Sequence, residues 1–290
     1  MDQVTLLWTL AATLLGGLQL FFQKVVAEEK RNSAFNGFMM YGISAVAAFS
    51  ILLLQRELPA GWLMASLFGL VGGIFHASGN FIRIEALKYI DSVIYFPLNK
   101  MLGPLLVVIG GVFLFGESLK AIQYVGIALS LSVPLILITS AEHHRQNNLR
   151  QGLIFVVVST VLTAISALLM KQGTVFDPSV LLLLVYAQVA GAVSSAIIFF
   201  RQTGSSRLRV ASLEKRDLQL GIIAGAIALF SAYTMLKALS LGLASLVYVI
   251  HAHYILIPIV LSVWWYGDHI NVRKFAAVVV SFLAIALLAI

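Results

Sequence analysis

The chain contains no cysteine, so neither a disulfide framework nor a thiolate metal site can belong to it. Charge is nearly as scarce: only 11% of the 290 residues are Asp, Glu, Lys or Arg, whereas a soluble domain uses about a quarter to cover its surface. No acidic residue falls deep inside an apolar stretch, which speaks against a proton antiporter built on one buried carboxylate. There is no glycine-rich phosphate loop, so ATP hydrolysis is not expected. No Ser-His-Asp set can be placed at one membrane depth.

What the chain does have is apolar bulk, with 60% hydrophobic residues and a mean hydropathy of +0.98. Ten apolar stretches stand out, at 4–26, 34–54, 62–84, 92–115, 121–139, 152–170, 179–200, 218–239, 244–266 and 271–290. Each runs for about 19–24 residues, enough for a helix to cross a hydrocarbon core of about 30 Å. Backbone polar groups in lipid must be satisfied within the segment, and the runs do not alternate, so helices are expected rather than a barrel. The first stretch follows Asp2 and Gln3 instead of a basic region, and no small-residue cleavage site follows it, unlike a signal peptide.

The net charge of +7 is unevenly placed. Fourteen Lys and Arg fall in the connections after spans one, three, five, seven and nine, and four fall on the other side (Arg56, Lys120, Lys171 and Lys237). Lys100 is inside a span. This is the positive-inside asymmetry, and it puts the odd-numbered loops in the cytoplasm and both termini outside. The basic run Arg201–Arg216 is then a solvated loop near anionic lipid, not a nucleic-acid site.

The chain repeats itself. Gly69, Gly73 and Ala86-Leu87 recur as Gly221, Gly225 and Ala238-Leu239 at offset 152, and Gly116-Glu117 recurs as Gly267-Asp268 at offset 151. Thr13 and Lys24 match Thr160 and Lys171 at offset 147, and Ser130 matches Ser281. The polar stretch at 140–150 separates a first repeat, 1–139, from a second, 151–290. Five spans is an odd number, so the second repeat enters the bilayer from the opposite face. The expected fold is an all-α membrane protein of ten transmembrane helices, two inverted five-helix repeats around a central cavity.

Candidate functional residues follow from that frame. The stripes Gly69–Gly73 and Gly221–Gly225 allow close helix packing, and the same surfaces would let the two halves rock. Pro104 and Pro258 remove helical hydrogen bonds in corresponding spans, and matched interruptions of this kind point towards a substrate site. Lys100 lies about eight residues, roughly 12 Å, into span four. A charge at that depth costs at least about 2.5–3.5 kcal/mol and normally faces a cavity or a partner; the bland alternative is snorkelling. Asn99 adjoins it, and His251 and His253 occupy the related place in span nine. Residues two apart on a helix diverge by about 200°, so His-Ala-His is a poor chelating pair and no metal is expected. His76, Asn80 and Arg83 share one face of span three, while Tyr95, Tyr248 and Tyr254 either meet a substrate or belong to the interfacial belt. A cavity lysine favours an anionic or carboxylate-bearing solute, and an imidazole can carry a coupling proton.

The stretch Ala86-Leu87-Lys88-Tyr89, then Pro104, then Leu114-Phe115-Gly116-Glu117, with its weaker copy Ala238-Leu239, Pro258 and Gly267-Asp268, resembles the ten-helix EamA-type members of the drug/metabolite transporter superfamily. The resemblance covers the whole chain. It implies a basket of ten helices, a cavity lined mainly by spans one, three, four, six, eight and nine, and secondary transport of a small metabolite by alternating access, often outward. An amino acid or organic acid is the expected solute, a bacterial-type inner membrane the expected place, and no cofactor is implied. Members of the family usually keep both termini in the cytoplasm, contrary to the charge count. A glutamate of the four-helix relatives is replaced in span one, where Gln19 and Gln23 are the polar residues. The competing readings are a lipid-headgroup flippase, a non-transporting scaffold, or an intramembrane enzyme using His76, His251 or His253.

Overall fold

The computed structural model describes every residue except 30, 56–59, 87–88, 91, 138–148, 178, 204–213 and 267–270. Among the described residues the regular structure is helical throughout: α1 (Gln3–Glu28), α2 (Ser33–Gln55), α3 (Trp62–Ala86), α4 (Ser92–Phe115), α5 (Ala121–Leu137), α6 (Leu149–Gly173), α7 (Leu181–Thr203), α8 (Lys215–Leu241), α9 (Ala244–His251), α10 (Leu256–Tyr266) and α11 (Val272–Ala289). A 3₁₀ turn, Ala252–Ile255, joins α9 to α10, and the three pieces together form the ninth span. Among the described residues nine spans are long and apolar enough to cross a bilayer, and α5, at 17 residues, is a tenth, shorter one. Helix starts carry caps that satisfy their orphan N–H groups: Asp2 accepts from Thr5 N at 2.8 Å, Asn32 from Phe35 N at 2.9 Å and Asn271 from Lys274 N at 2.9 Å.

The helix packing has the symmetry of an inverted repeat. Spans one to five correspond to α6, α7, α8, the ninth span and α11. The pairing of α3 with α6 has its counterpart in α1 with α8, and that of α3 with α7 in α2 with α8. The contacts α2–α7, α4–α9 and α5–α11 each relate a span to its own copy, so they lie on the two-fold axis. An even number of spans returns the chain to its starting face, where the Met1 ammonium donates to Ala289 O at 3.1 Å. The face carrying the connections after spans one, three, five, seven and nine is called the odd face below, and the opposite one the even face. Arg31 and Arg216 pair with Glu214 and Glu29 at 2.6 and 2.7 Å on the odd face and tie the α1–α2 corner to the start of α8. The Arg216 guanidinium holds the Glu29 carboxyl below its ordinary range.

The two glycine stripes make the equivalent cross-repeat seams. A Cβ at Gly69 would stand 2.6 Å from Leu183 O, and one at Gly73 2.7 Å from Ala187 O, so α3 and α7 touch backbone to backbone. On the other side of the axis a Cβ at Gly221 or Gly225 would meet the Cβ of Met39 or Ile43 at 2.8 or 2.7 Å. Packing is what holds helices together in lipid, so these seams carry stability. Gly69→Ala is expected to cost about 1–3 kcal/mol, read as a lower thermal midpoint in detergent. Gly42→Ala is the control, because its Cβ would meet nothing within 4 Å; an equal loss in both variants would dismiss the seam.

The repeat motif elements Leu87, Lys88, Gly267 and Asp268, and the linker residues 140–148, lie outside the described residues. Helix α6 already begins at Leu149.

One proline expectation needs correction, that of matched interruptions: Pro258 does interrupt its span and Pro104 does not. Pro104 leaves α4 continuous from Ser92 to Phe115, and the ninth span is the one that breaks. Pro258 has no N–H to offer Tyr254 O, the residues before it tighten into the 3₁₀ turn, and α1 closes on the gap. A Cβ at Gly17 would stand 2.8 Å from Tyr254 O.

Candidate functional site

A cavity of about 320 Å³ lies on the two-fold axis between the repeats. Its walls come from α1, α3, α4, α6, α8 and α9, as expected, together with α2 and α7, which contribute Tyr41 and Gln188. Of the residues singled out in the sequence, Lys100, Asn99, His251, Asn80, His76, Tyr95 and Tyr248 all line it, as do Pro104 and Gly73. His253, Gly69, Gly221, Gly225 and Pro258 do not. His253 is 4% exposed and its Nδ1 lies 3.1 Å from Ile250 O, so it packs between helices while His251 faces the cavity. Of the three histidines weighed for an intramembrane enzyme, His76 and His251 line the cavity and His253 does not.

Lys100 reaches the cavity from α4. Its ammonium donates to the Tyr254 hydroxyl and sits 4.4 Å from the centre of the Tyr254 ring. The His251 ring lies 4.9 Å from the same ring, centre to centre. Cation and aromatic come from opposite repeats, so this contact joins the two halves at the axis. The ring face offsets part of the cost of taking an ammonium out of water, but it brings no negative charge. Among the described residues no carboxylate lines the cavity, and Arg83 stands in the same wall. Lys100 and Arg83 give the described wall a positive charge.

The polar neighbours are held in place by second partners. Asn80 Nδ2 donates to Tyr41 Oη at 3.0 Å, Asn99 Nδ2 to Thr160 Oγ1 at 2.8 Å, and Tyr95 Oη and Ser159 Oγ are 2.9 Å apart. Gln188 Oε1 and His251 Nδ1 are buried without a partner among the described residues, which leaves hydrogen-bonding capacity in the wall.

The even-face end is sealed. Leu184 and Leu239 are fully buried, Val107 and Leu236 nearly so, and all belong to one apolar cluster with Met170. Behind it the α8–α9 turn is clamped at both helix ends. Lys171 Nζ donates to Leu239 O at 2.6 Å and Gly242 O at 2.7 Å, while Glu117 accepts from Ala244 N at 2.6 Å and Ser245 N at 3.0 Å. Gln23, Asn80 and Arg83, each partly exposed, line the opposite, odd-face end. The role of Glu117 was not visible in the sequence, where it reads only as the close of a repeated motif, because its partners lie 127 and 128 residues further along the chain.

Ten spans in two inverted repeats around a central cavity are the architecture of a carrier-type membrane protein. The EamA-like transporter family matches residues 3–139 and, a second time, residues 150–290. The chain belongs to that family, within the drug/metabolite transporter superfamily. A crystal structure described only as that of a protein superposes with a TM-score of 0.77 at 15% identity, covering 99% of this chain and 96% of the other, and shares the fold. No curated protein matches the chain.

Proposed function

We propose that the protein is a secondary carrier for a small organic anion, working by alternating access, with Lys100 as the anchor of the anionic group. The observation that supports this most is the lysine itself: an ammonium at cavity depth, facing an aromatic ring, with no carboxylate in the described wall to neutralise it. A group so costly to bury is retained where a solute completes it. The zwitterionic alternative has less support, since a substrate ammonium would find no acidic partner there. Tyr254, the aromatic face beside the lysine, is already taken by the Lys100 cation.

The basic odd face is the cytoplasmic one in this reading. The cavity, sealed towards the even face, then collects solute from the cytoplasm, and export follows. A proton moving with the solute would ride on an imidazole of the wall, His76 or His251. Proteoliposomes loaded with a mixture of organic acids test the activity: release of an anion that depends on the protein and disappears in Lys100→Gln is expected, and anion-independent behaviour refutes the reading. Orientation has its own check. A reporter fused after Ile290 is expected to read on the non-cytoplasmic side, and a cytoplasmic signal would reverse the assigned direction.

A further inference from the structure

The cavity walls are built from two copies of one ancestral surface, and the copies have diverged in chemistry. At offset 152, His76 corresponds to Ala228, Asn80 to Ala232, Arg83 to Met235 and Lys100 to Ala252, and every one of these residues lines the cavity. At offset 147, Gln23 corresponds to Met170, and both line it too. At these five positions a polar or cationic residue of the first repeat is answered by an apolar one in the second, while Gln19, Tyr41 and Asn99 keep polar counterparts in Ser166, Gln188 and His251.

Inversion converts this difference between repeats into a difference in depth. The lining residues of α1 and α2 and, apart from Gly73, those of α3 lie in the halves of those helices nearest the odd face, and so do Tyr95, Asn99 and Lys100 of α4. The lining residues of α7 and most of those of α6 and α8 lie in the halves nearest the even face. The pocket is therefore bipolar along the membrane normal. A cationic, amide-rich end stands at the odd-face side. A hydrocarbon end made by Met170, Met235, Leu236 and Leu239 stands at the sealed side. A pocket kept polar throughout would suit a small dianion or a sugar acid; this one has an apolar floor that only a hydrocarbon group would cover.

From this the geometry points to a substrate class: an amphipathic monocarboxylate, with its carboxylate at Lys100 and Arg83 and a branched, linear or aromatic hydrocarbon part laid on the methionine-leucine floor. Methionine side chains adapt to hydrocarbon shape, so the floor selects for apolar bulk more than for one outline. The inference rests on the anion-carrier reading above and narrows it.

Binding of propionate, butyrate, pentanoate and hexanoate to the full chain in nanodiscs, with empty nanodiscs subtracted, tests it. Affinity is expected to rise roughly fourfold for each added methylene, as burial of a methylene in an apolar site gives. Hexan-1-ol, lacking the carboxylate, and 6-aminohexanoate, placing an ammonium on the floor, are expected to bind at least tenfold more weakly than hexanoate. Met235→Gln is expected to flatten the chain-length series, hexanoate losing more affinity than propionate, and Met170→Gln to do the same should the first variant fold poorly. A flat series in the wild type, or succinate or 6-aminohexanoate binding better than hexanoate, overturns the amphipathic substrate and leaves an anion carrier standing. Failure of every carboxylate to bind removes the anion-carrier reading itself, and this inference with it.

Discussion

Lys100→Met is expected to weaken anion binding on the order of 10- to 100-fold and, at the same time, to raise the thermal midpoint of the protein. The two effects have one origin. An ammonium held at cavity depth by a tyrosine, with no carboxylate beside it in the described wall, costs folding free energy, about 2.5–3.5 kcal/mol on insertion scales. A methionine of similar length fills the same space without that cost. The solute loses a charge-assisted hydrogen bond, worth about 1.5–3 kcal/mol, which is the stated loss of affinity. Thermal unfolding and anion titration on one preparation of each variant check both halves. A lysine that merely snorkels would give neither effect, and a purely structural lysine would lower the midpoint. Unchanged affinity would take Lys100 out of the site.

How much of this was readable from the residues depended on whether the cause was local. The spans, the duplication and its inversion follow from apolar length, offsets and parity, all local or countable, and the helices of the structure fall within a few residues of the apolar stretches. The face formed by His76, Asn80 and Arg83 was legible because α3 is a regular helix and a spacing of three to four residues fixes a face. The choice between His251 and His253 was not legible. They are two residues apart, and the winding tightens to 3₁₀ between them, so helical spacing gives no reliable direction there. The break in the ninth span was not legible either: both spans contain proline, and Gly103, Gly110 and Gly111 make span four the more deformable by sequence, yet α4 is continuous and α1 packs on the Tyr254 carbonyl beside the break in the other. The parts played by Tyr41 and Gln188 depend on which helices meet at the axis, a property of the assembled bundle.

Glu117 gives the largest expected loss of stability. Gly116 turns the chain at the end of α4 with φ at +64°, a conformation that suits glycine, and the carboxylate that follows is 7% exposed. Both of its oxygens are occupied at the start of α9, by Ala244 N, Ser245 N and the Ser245 hydroxyl. A negative charge at a helix N-terminus answers the partial positive charge of its free N–H groups, and Lys171 supplies the opposite match at the C-terminus of α8. The wall around the carboxylate is closed, since a Cβ at Gly111 would stand 2.5 Å from Glu117 Oε2. Glu117→Ala therefore leaves two buried N–H groups without their acceptor, and a loss of about 2–5 kcal/mol is expected. Glu117→Gln keeps an acceptor but not the charge, and is expected to lose about 1.5–3 kcal/mol. Because the Lys171 ammonium feels the Glu117 charge, the double variant Glu117→Ala with Lys171→Met is expected to cost less than the sum of the single ones. Thermal unfolding of the four proteins in one detergent measures this. An unchanged midpoint in Glu117→Ala would mean that the turn is held by its apolar packing alone. Anion affinity of the folded fraction is expected to stay at the wild-type value in Glu117→Gln, since the carboxylate lies behind the sealed floor and touches no solute.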